Sequence, residues 1–238
     1  MRQPSCKKVL AAALVSGCVA LSWLATSLPP AQARAAVATS APTSTPVPAT
    51  PSVLPPAWAA FENAWANISA YNATVTTFEQ KGTQTQNTVF DYTFRKPSSA
   101  TVHFIKGINE GVTVVWNGGT TVTAHRGGFL ALFKKTFPLH DPQVTTIRGS
   151  SVDQLSFAAI LAHSQGTPGT ISQATGPTIL GIPTEAVTLV ATSSIANTGL
   201  TREIVDISTT TNLPIRVLGY EGDTLVRQID FSNVKLER

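Results

Sequence analysis

The chain has 238 residues, with 17 Lys and Arg, 13 Asp and Glu, four His and two Cys. Its length allows one or two domains. The positive charge does not indicate nucleic-acid binding, because Arg2, Lys7 and Lys8 lie together at the N-terminus without acidic neighbours. Subtracting these 3 from 17 leaves 14 basic against 13 acidic residues from Arg34 onward, which is close to neutral.

Residues 1–33 have the pattern of an export signal. A basic start precedes a mostly apolar stretch from Val9 to Leu28, and Ala31-Gln32-Ala33 forms a small-x-small cleavage pattern. Two alternatives remain open. The sequence before Cys18 resembles a lipobox, which would make Cys18 a lipid anchor, and about 20 apolar residues can also span a bilayer uncleaved. All three interpretations place the folded part outside the cytoplasm, in the periplasm or an equivalent compartment.

Residues 34–56 are rich in Ala, Thr, Ser, Pro and Val and carry no charge after Arg34. Such a segment buries too little apolar surface to fold, so we predict a disordered linker. Both cysteines, Cys6 and Cys18, precede it. The predicted domain, residues 57–238, therefore has no disulfide and no thiolate for catalysis or metal binding.

The predicted domain begins with a short amphipathic helix. Trp58, Phe61, Trp65 and Ile68 recur at helical spacing, directly after a Pro-Pro pair. In one interpretation this aromatic face packs onto a sheet. In the other it is a lid over a lipid cavity, because both arrangements require the same pattern.

The pattern then changes to the alternation of β-strands. Turn signals separate the strands, so we expect successive strands to pair as antiparallel hairpins. One apolar face results, and the residues on it that we regard as candidates for binding an apolar ligand are Phe90, Tyr92, Phe94, Val102, Phe104, Val114 and Trp116.

The segment from Phe129 to Phe137 is too apolar for an ordinary surface loop. We interpret it as a short core helix or plug, or as a mobile flap with Phe129 and Phe133 as gating residues. Ser151 to Gln154 then has the form of a capping box, which predicts a second helix over about 151–164. Further Val/Ile/Thr-rich strands follow. The total of about ten strands and two or three helices predicts an α+β fold with a large antiparallel sheet.

Catalytic and metal-binding patterns are not found in the sequence. The four histidines, at positions 103, 125, 140 and 163, lack metal-ligand spacing, and there is no GxSxG or P-loop motif. Carboxylates are few and mostly isolated, which argues against paired acid–base catalysis. The sequence therefore predicts a noncatalytic protein without metal or cofactor.

Several short motifs resemble those of the LolA-type periplasmic lipoprotein carriers. The chain from Ile68 runs through a strand to Phe78-Glu79-Gln80, similar to the Phe-x-Gln motif of that superfamily. Phe94-Arg95-Lys96-Pro97 resembles its basic-Pro step, and Trp116-Asn117-Gly118 falls at its Asn-Gly turn. Residues 212–216 and 229–234 resemble its closing hairpin, also found in a related group of exported domains of unknown function.

This resemblance implies a strongly curved antiparallel sheet, an incomplete barrel closed by helices, with an apolar cavity for acyl chains. In that family the basic residue beside the proline helps to hold the helical lid closed. Lys96 stands at this position, where the family usually has Arg, and Lys lacks the forked geometry of a guanidinium. The segment from Phe129 to Arg148 is a further departure from the plain carrier.

We therefore predict an exported, noncatalytic binder or carrier of lipid or lipoprotein acyl chains, as in the sorting of outer membrane lipoproteins. Burying an acyl chain is favourable by about 0.8 kcal/mol per CH₂ group and needs no specific chemistry. The sequence leaves open whether the apolar face encloses a cavity or a packed core. It also leaves two other functions open: an envelope sensor or assembly protein that binds another protein, and a cell-envelope enzyme.

Overall fold

The computed structural model describes residues 54–128 and 132–238, and these form an α+β fold. Helix α1 spans Pro56–Ala66, a 3₁₀ helix spans Val152–Leu155, and α2 spans Phe157–Gly166. The strands are β1 (Ala70–Lys81), β2 (Gln84–Arg95), β3 (Ser99–Lys106), β4 (Val112–Trp116), β5 (Thr121–Arg126), β6 (Lys135–Pro138), β7 (Gly169–Thr175), β8 (Thr184–Ala191), β9 (Arg202–Ser208), β10 (Pro214–Glu221) and β11 (Thr224–Glu237).

All of these strands belong to one antiparallel sheet in the order β6-β5-β4-β3-β2-β1-β11-β10-β9-β8-β7. The sheet does not close, so β6 and β7 are its edges. The predicted fold class, an incomplete barrel with helices, is confirmed. The described residues contain eleven strands rather than about ten, because the segment interpreted as a plug or flap contains β6.

Helix α1 begins with Pro56, one residue before the predicted start of the domain. Proline suits this first position, since its fixed φ is helical and its missing N–H would have no partner there. Trp58, Phe61 and Trp65 are all buried, as expected for residues on one helical face. No helix within residues 54–128 and 132–238 is long and apolar enough to cross a bilayer.

The second predicted helix, 151–164, is two pieces in the structure. The capping-box contact is present, with the Ser151 N–H donating to Gln154 Oε1 at 3.1 Å. Ser156 then adopts an extended conformation that ends the 3₁₀ helix, and its hydroxyl accepts from the Ala159 N–H at the start of α2. One serine therefore separates the two helices and caps the second.

The core lies between the helices and one face of the sheet, which we call the inner face. Phe157 of α2 stacks on Tyr71 of β1, with ring centroids 4.3 Å apart and planes 9° from parallel. Phe157 also contacts Phe61 and Trp65 of α1 edge-on. An aromatic cluster thus joins both helices to the centre of the sheet.

Candidate ligand-binding site

The central residues predicted to bind a ligand lie in this packed core. Tyr92 and Phe94 are almost fully buried on β2. The ring centroids of Phe94 and Trp65 are 5.7 Å apart. The Tyr92 hydroxyl donates to the Val152 carbonyl oxygen at 3.3 Å, which ties the 3₁₀ helix to the sheet. Phe90 and Val102 are also buried on the inner face. At this part of the sheet, helices rather than a cavity cover the apolar face.

The inner face is open further towards β6. Here a groove of about 310 Å³ runs along β3, β4, β5 and β6, and we call it the β3–β6 groove. Two of the predicted ligand-binding residues, Phe104 and Val114, line it together with the predicted gating residue Phe133. Its other apolar lining residues are Val112, Ala124, Phe137 and Val144.

The remaining predicted residues occupy different places. Trp116 is partly buried, and its indole N–H donates to the Gly119 carbonyl oxygen at 2.7 Å, within the turn after β4. Phe133 has 68% of its surface exposed, although it borders the groove. Trp58, predicted as part of a lid, is buried in the core, and Phe129 lies outside the described residues.

Lys96, which stands at the basic-Pro position, lies at the C-terminal end of α1. Its Nζ donates to the carbonyl oxygen of Trp65 at 2.7 Å and lies 4.2 Å from the centroid of the Trp65 ring. A cation is favourable at this end of a helix, where the carbonyl groups lack backbone partners. Lys96 therefore connects the β2–β3 turn to the helix that covers the core.

Basic side chains border the β3–β6 groove. Lys135 Nζ lies 4.5 Å from the centroid of the Phe137 ring, at the edge of the apolar lining. Arg126 and His125 lie at the C-terminal end of β5, next to Ala124, which pairs with Lys135. Among the described residues, neither Lys135 nor Arg126 forms an ion pair. The groove thus combines an apolar floor with a basic edge.

A partly buried polar cluster was not predicted from the sequence. His163 Nε2 of α2 lies 2.6 Å from Glu203 Oε2 of β9, and Arg227 of β11 pairs with the other Glu203 oxygen. The hydrogen bond to Glu203 raises the pKa of His163. Burial alone would raise the pKa of Glu203, but the hydrogen bond from His163 and the charge of Arg227 hold it below the usual value. This ion pair links α2 to the sheet.

A second set of polar contacts lies close to the first. The guanidinium of Arg148 donates to Glu221 Oε1 at 2.6 Å and to the Gln80 carbonyl oxygen at 2.8 Å. The backbone N–H of Arg148 donates to Glu79 Oε2. A cavity of about 220 Å³ beneath α2 is lined by the first cluster, by Arg148 of the second, and by apolar residues that include Ile160 and Val205. Of its charged lining groups, His163 and Arg227 pair with Glu203, and Arg148 pairs with Glu221 outside the lining. The cavity therefore has no free charge that would call for an ionic ligand.

A second apolar groove, of about 310 Å³, lies beside β9, β10 and β11. It was not predicted from the sequence. Its lining comes from the β7–β8 loop, the β9–β10 turn and an irregular part of β11, and includes Ile182, Leu213, Phe231 and Val234. A register shift between β1 and β11 occurs between Asn72 and Thr74. Such shifts depend on strand pairing, which local sequence patterns do not reveal.

Metal ligands are not clustered in the part of the chain that the structure describes. No group of three or more His, Cys, Asp or Glu side chains there could hold a metal ion. To a ligand, this face of the sheet offers apolar grooves, the basic edge of the β3–β6 groove and charges that are paired with one another.

No known protein-family profile matches the chain, and no curated protein matches its sequence. Solved structures do match. The chain is similar to a LolA superfamily protein from Nitrosomonas europaea, with 10% identity and a TM-score of 0.38 over 76% of this chain and 94% of the other. It is similar to lipoprotein LppX from Mycobacterium tuberculosis, with 13% identity and a TM-score of 0.42 over 76% and 93%.

A third similar structure is a chain of the Pseudomonas aeruginosa MucA/MucB complex, with 12% identity and a TM-score of 0.45 over 76% of this chain and 57% of the other. A structural similarity to LolA superfamily proteins thus accompanies the resemblance of the sequence motifs. Identities of 10 to 13% do not identify a ligand or a partner.

Proposed function

We propose that this protein is an exported, noncatalytic binder of lipid or lipoprotein acyl chains. The bound acyl chain lies in the β3–β6 groove. The observation that carries the proposal is the uncovered apolar part of the inner face. Helices fill the centre of that face, while Phe104, Val112, Val114 and Phe137 border open space of about 310 Å³. This volume is at the lower end of the range of about 300–1,000 Å³ for ligand pockets.

The chemistry of the groove agrees with this proposal. Each buried CH₂ group contributes about 0.8 kcal/mol, so an acyl chain gains affinity from length alone. The predicted candidates closer to the centre of the sheet, Phe90, Tyr92 and Phe94, would join the binding surface only if the helices moved away. Lys96 and the pair of His163 with Glu203 are among the contacts that oppose such movement.

The experiment is native mass spectrometry of the purified protein, with organic extraction and identification of any bound lipid. We expect a bound lipid, or uptake of a fatty acid added to the protein. Ala124→Asp places a carboxylate in the groove and should reduce uptake at least tenfold. The matched control is Thr123→Asp, on the opposite face of the same strand.

The two variants separate the proposal from its alternatives. Equal uptake by both variants would place the ligand elsewhere, and absence of any bound or bindable lipid would contradict the proposal. A protein partner that copurifies and is lost with Ala124→Asp but not with Thr123→Asp would favour the sensor or assembly function.

A further inference from the structure

The two edges of the sheet differ in how they are protected. An edge strand has unpaired backbone N–H and C=O groups, and proteins usually shield them with short strands, Pro or Lys. Edge strand β6, Lys135–Pro138, has four residues and contains both a lysine and a proline. Edge strand β7, Gly169–Thr175, has seven residues and neither of these, nor any charged residue. Within the part of the chain that the structure describes, β7 is thus the edge open to pairing.

The outward-facing backbone groups of β7 follow from its pairing with β8. The Gly176 N–H donates to the Thr184 carbonyl oxygen, and the Thr192 N–H donates to the Pro168 carbonyl oxygen. Because antiparallel hydrogen bonding alternates along a strand, the even-numbered residues of β7 bond to β8. The outward groups therefore belong to the four odd-numbered residues, Gly169, Ile171, Gln173 and Thr175.

These four residues are self-complementary. A two-fold axis through Ser172 places Ile171 opposite Gln173 of a second copy and Gly169 opposite Thr175. All eight outward N–H and C=O groups then pair, and the sheet continues from one molecule into the other. We propose that β7 is a self-association edge, and that its partner is β7 of a second copy of this chain, antiparallel about Ser172.

The side chains around the axis are compatible with this arrangement. Since Ile171 packs towards the core, the even-numbered side chains lie on the outer face. There the residues of β7 and their partners on β8 are uncharged: Thr170, Ser172, Ala174, Ala186, Thr188 and Val190. A two-fold axis brings like residues together, so a charge at its centre would repel its own copy. No charge stands at that centre.

A pair of seven-residue strands by itself buries less than the roughly 1,200 Å² of a stable interface. We therefore expect a weak dimer that forms at high protein concentration, independently of any lipid in the β3–β6 groove.

Cysteine cross-linking tests both the dimer and its register. Residues 34–238 contain the whole described sheet and no cysteine. In the proposed register Ser172 faces its own copy as a non-hydrogen-bonded pair, with Cα atoms about 4.5 Å apart, which is within disulfide range. Ser172→Cys should form a covalent dimer under mild oxidation. Thr188→Cys, on the same face of β8, is the matched control and should not.

A second set of variants fixes the register. Thr170 faces Ala174 of the other copy, so Thr170→Cys alone should stay monomeric, and its mixture with Ala174→Cys should form a mixed disulfide. Ser172→Lys should abolish concentration-dependent sedimentation, and mixing it with Ser172→Glu should restore it. Cross-linking of Ser172→Cys no faster than of Thr188→Cys would overturn the proposal. Backbone amide protection of β7 by an added extended peptide, in a protein that stays monomeric, would replace the second copy with a peptide partner.

Discussion

Lys96 and Trp65 are joined by two contacts at once. The Lys96 Nζ donates to the Trp65 carbonyl oxygen at 2.7 Å and lies 4.2 Å from the centroid of the same residue's ring. A second, longer hydrogen bond reaches the Ala66 carbonyl oxygen at 3.4 Å. One side chain therefore satisfies the end of α1 and contacts the aromatic face that the helix packs on the sheet.

Replacing Lys96 should weaken the attachment of α1. Lys96→Met keeps the apolar stem but removes the charge, and we expect the free energy of unfolding to fall by about 1–2 kcal/mol, the sum of a helix-end charge and a cation–π contact. Urea unfolding followed by tryptophan fluorescence measures this. Lys96→Arg should lose less than half as much. Lys106→Met, at an exposed lysine, is the control, and an equal loss there would contradict the assignment.

The ion pair of His163 with Glu203 should make stability depend on pH. His163 has a raised pKa, so its contribution is complete below its usual value of 6.5 and is lost as the pH rises through the raised value. Glu203 has a lowered pKa, so its contribution is complete above 4.5 and is lost as the pH falls through the lowered value. The pair should therefore stabilise the fold most between about pH 4.5 and 6.5.

The variant His163→Gln tests this dependence. The difference in melting temperature between the original protein and the variant should be largest near pH 6 and shrink at pH 9, because uncharged His163 no longer forms an ion pair. Thermal unfolding followed by circular dichroism at several pH values gives the difference. His140→Gln, at an exposed histidine, should show no such trend. A constant difference for His163→Gln across this range would rule out the ion pair as its cause.

Asp206 should be a source of instability. It is 1% exposed, and neither carboxylate oxygen has a hydrogen-bond partner among the described residues. Burial raises its pKa, although the charge of Arg216 opposes the rise. A raised carboxyl pKa means that the charged form destabilises the fold at neutral pH, and that this cost disappears as the pH falls.

Asp206→Asn should accordingly raise the free energy of unfolding at pH 7. The gain should decrease as the pH falls towards 3.8, the usual value for Asp, where Asp206 itself becomes neutral. Urea unfolding at pH 7 and pH 4 measures both quantities. Asp223→Asn, at an exposed residue in the β10–β11 turn, serves as the control. A loss of stability at pH 7 with Asp206→Asn would contradict this expectation and would show that the charge of Arg216 outweighs the cost of burying Asp206.

Phe157 should be the most important side chain of α2 for stability. It is fully buried and contacts Tyr71, Phe61, Trp65 and Phe231. Phe157→Ala should cost about 3–5 kcal/mol, the usual cost of emptying an aromatic site in a core. Phe133→Ala, at an exposed phenylalanine, should change stability by less than about 0.5 kcal/mol. Chemical unfolding of both variants checks this, and similar losses would mean that Phe133 packs more closely than its exposure indicates.

The helices and hairpins could be predicted because their signals are local. Trp58, Phe61 and Trp65 share a helical face through spacing alone, and alternation placed Phe90, Tyr92 and Phe94 on one face of β2. β6 was missed because it is a four-residue strand that contains a proline and a lysine, without the alternation of longer strands. The polar cluster was missed because its members come from distant parts of the chain. His163 and Glu203 are 40 residues apart, and only the packing of α2 on β9 brings them together.

Whether the apolar face is covered or open could not be predicted either. Phe104 and Phe94 follow the same alternation, yet Phe94 is covered by Trp65 while Phe104 borders open space. The difference depends on how far the short helices extend across a wide sheet. Local patterns assign a residue to a face but do not say what lies above it.

The pairing of β1 with β11 at the centre of the sheet has a consequence for how the protein folds. Strands β1 to β6 form successive hairpins, and so do β7 to β11, so each half rests on neighbours along the chain. The two halves meet at one seam, where the Ser232 hydroxyl donates to the Thr74 carbonyl oxygen across 158 residues. Closing so long a loop is slow compared with forming a hairpin. Each half can therefore assemble first, and the inner face of the sheet becomes continuous only when the seam closes.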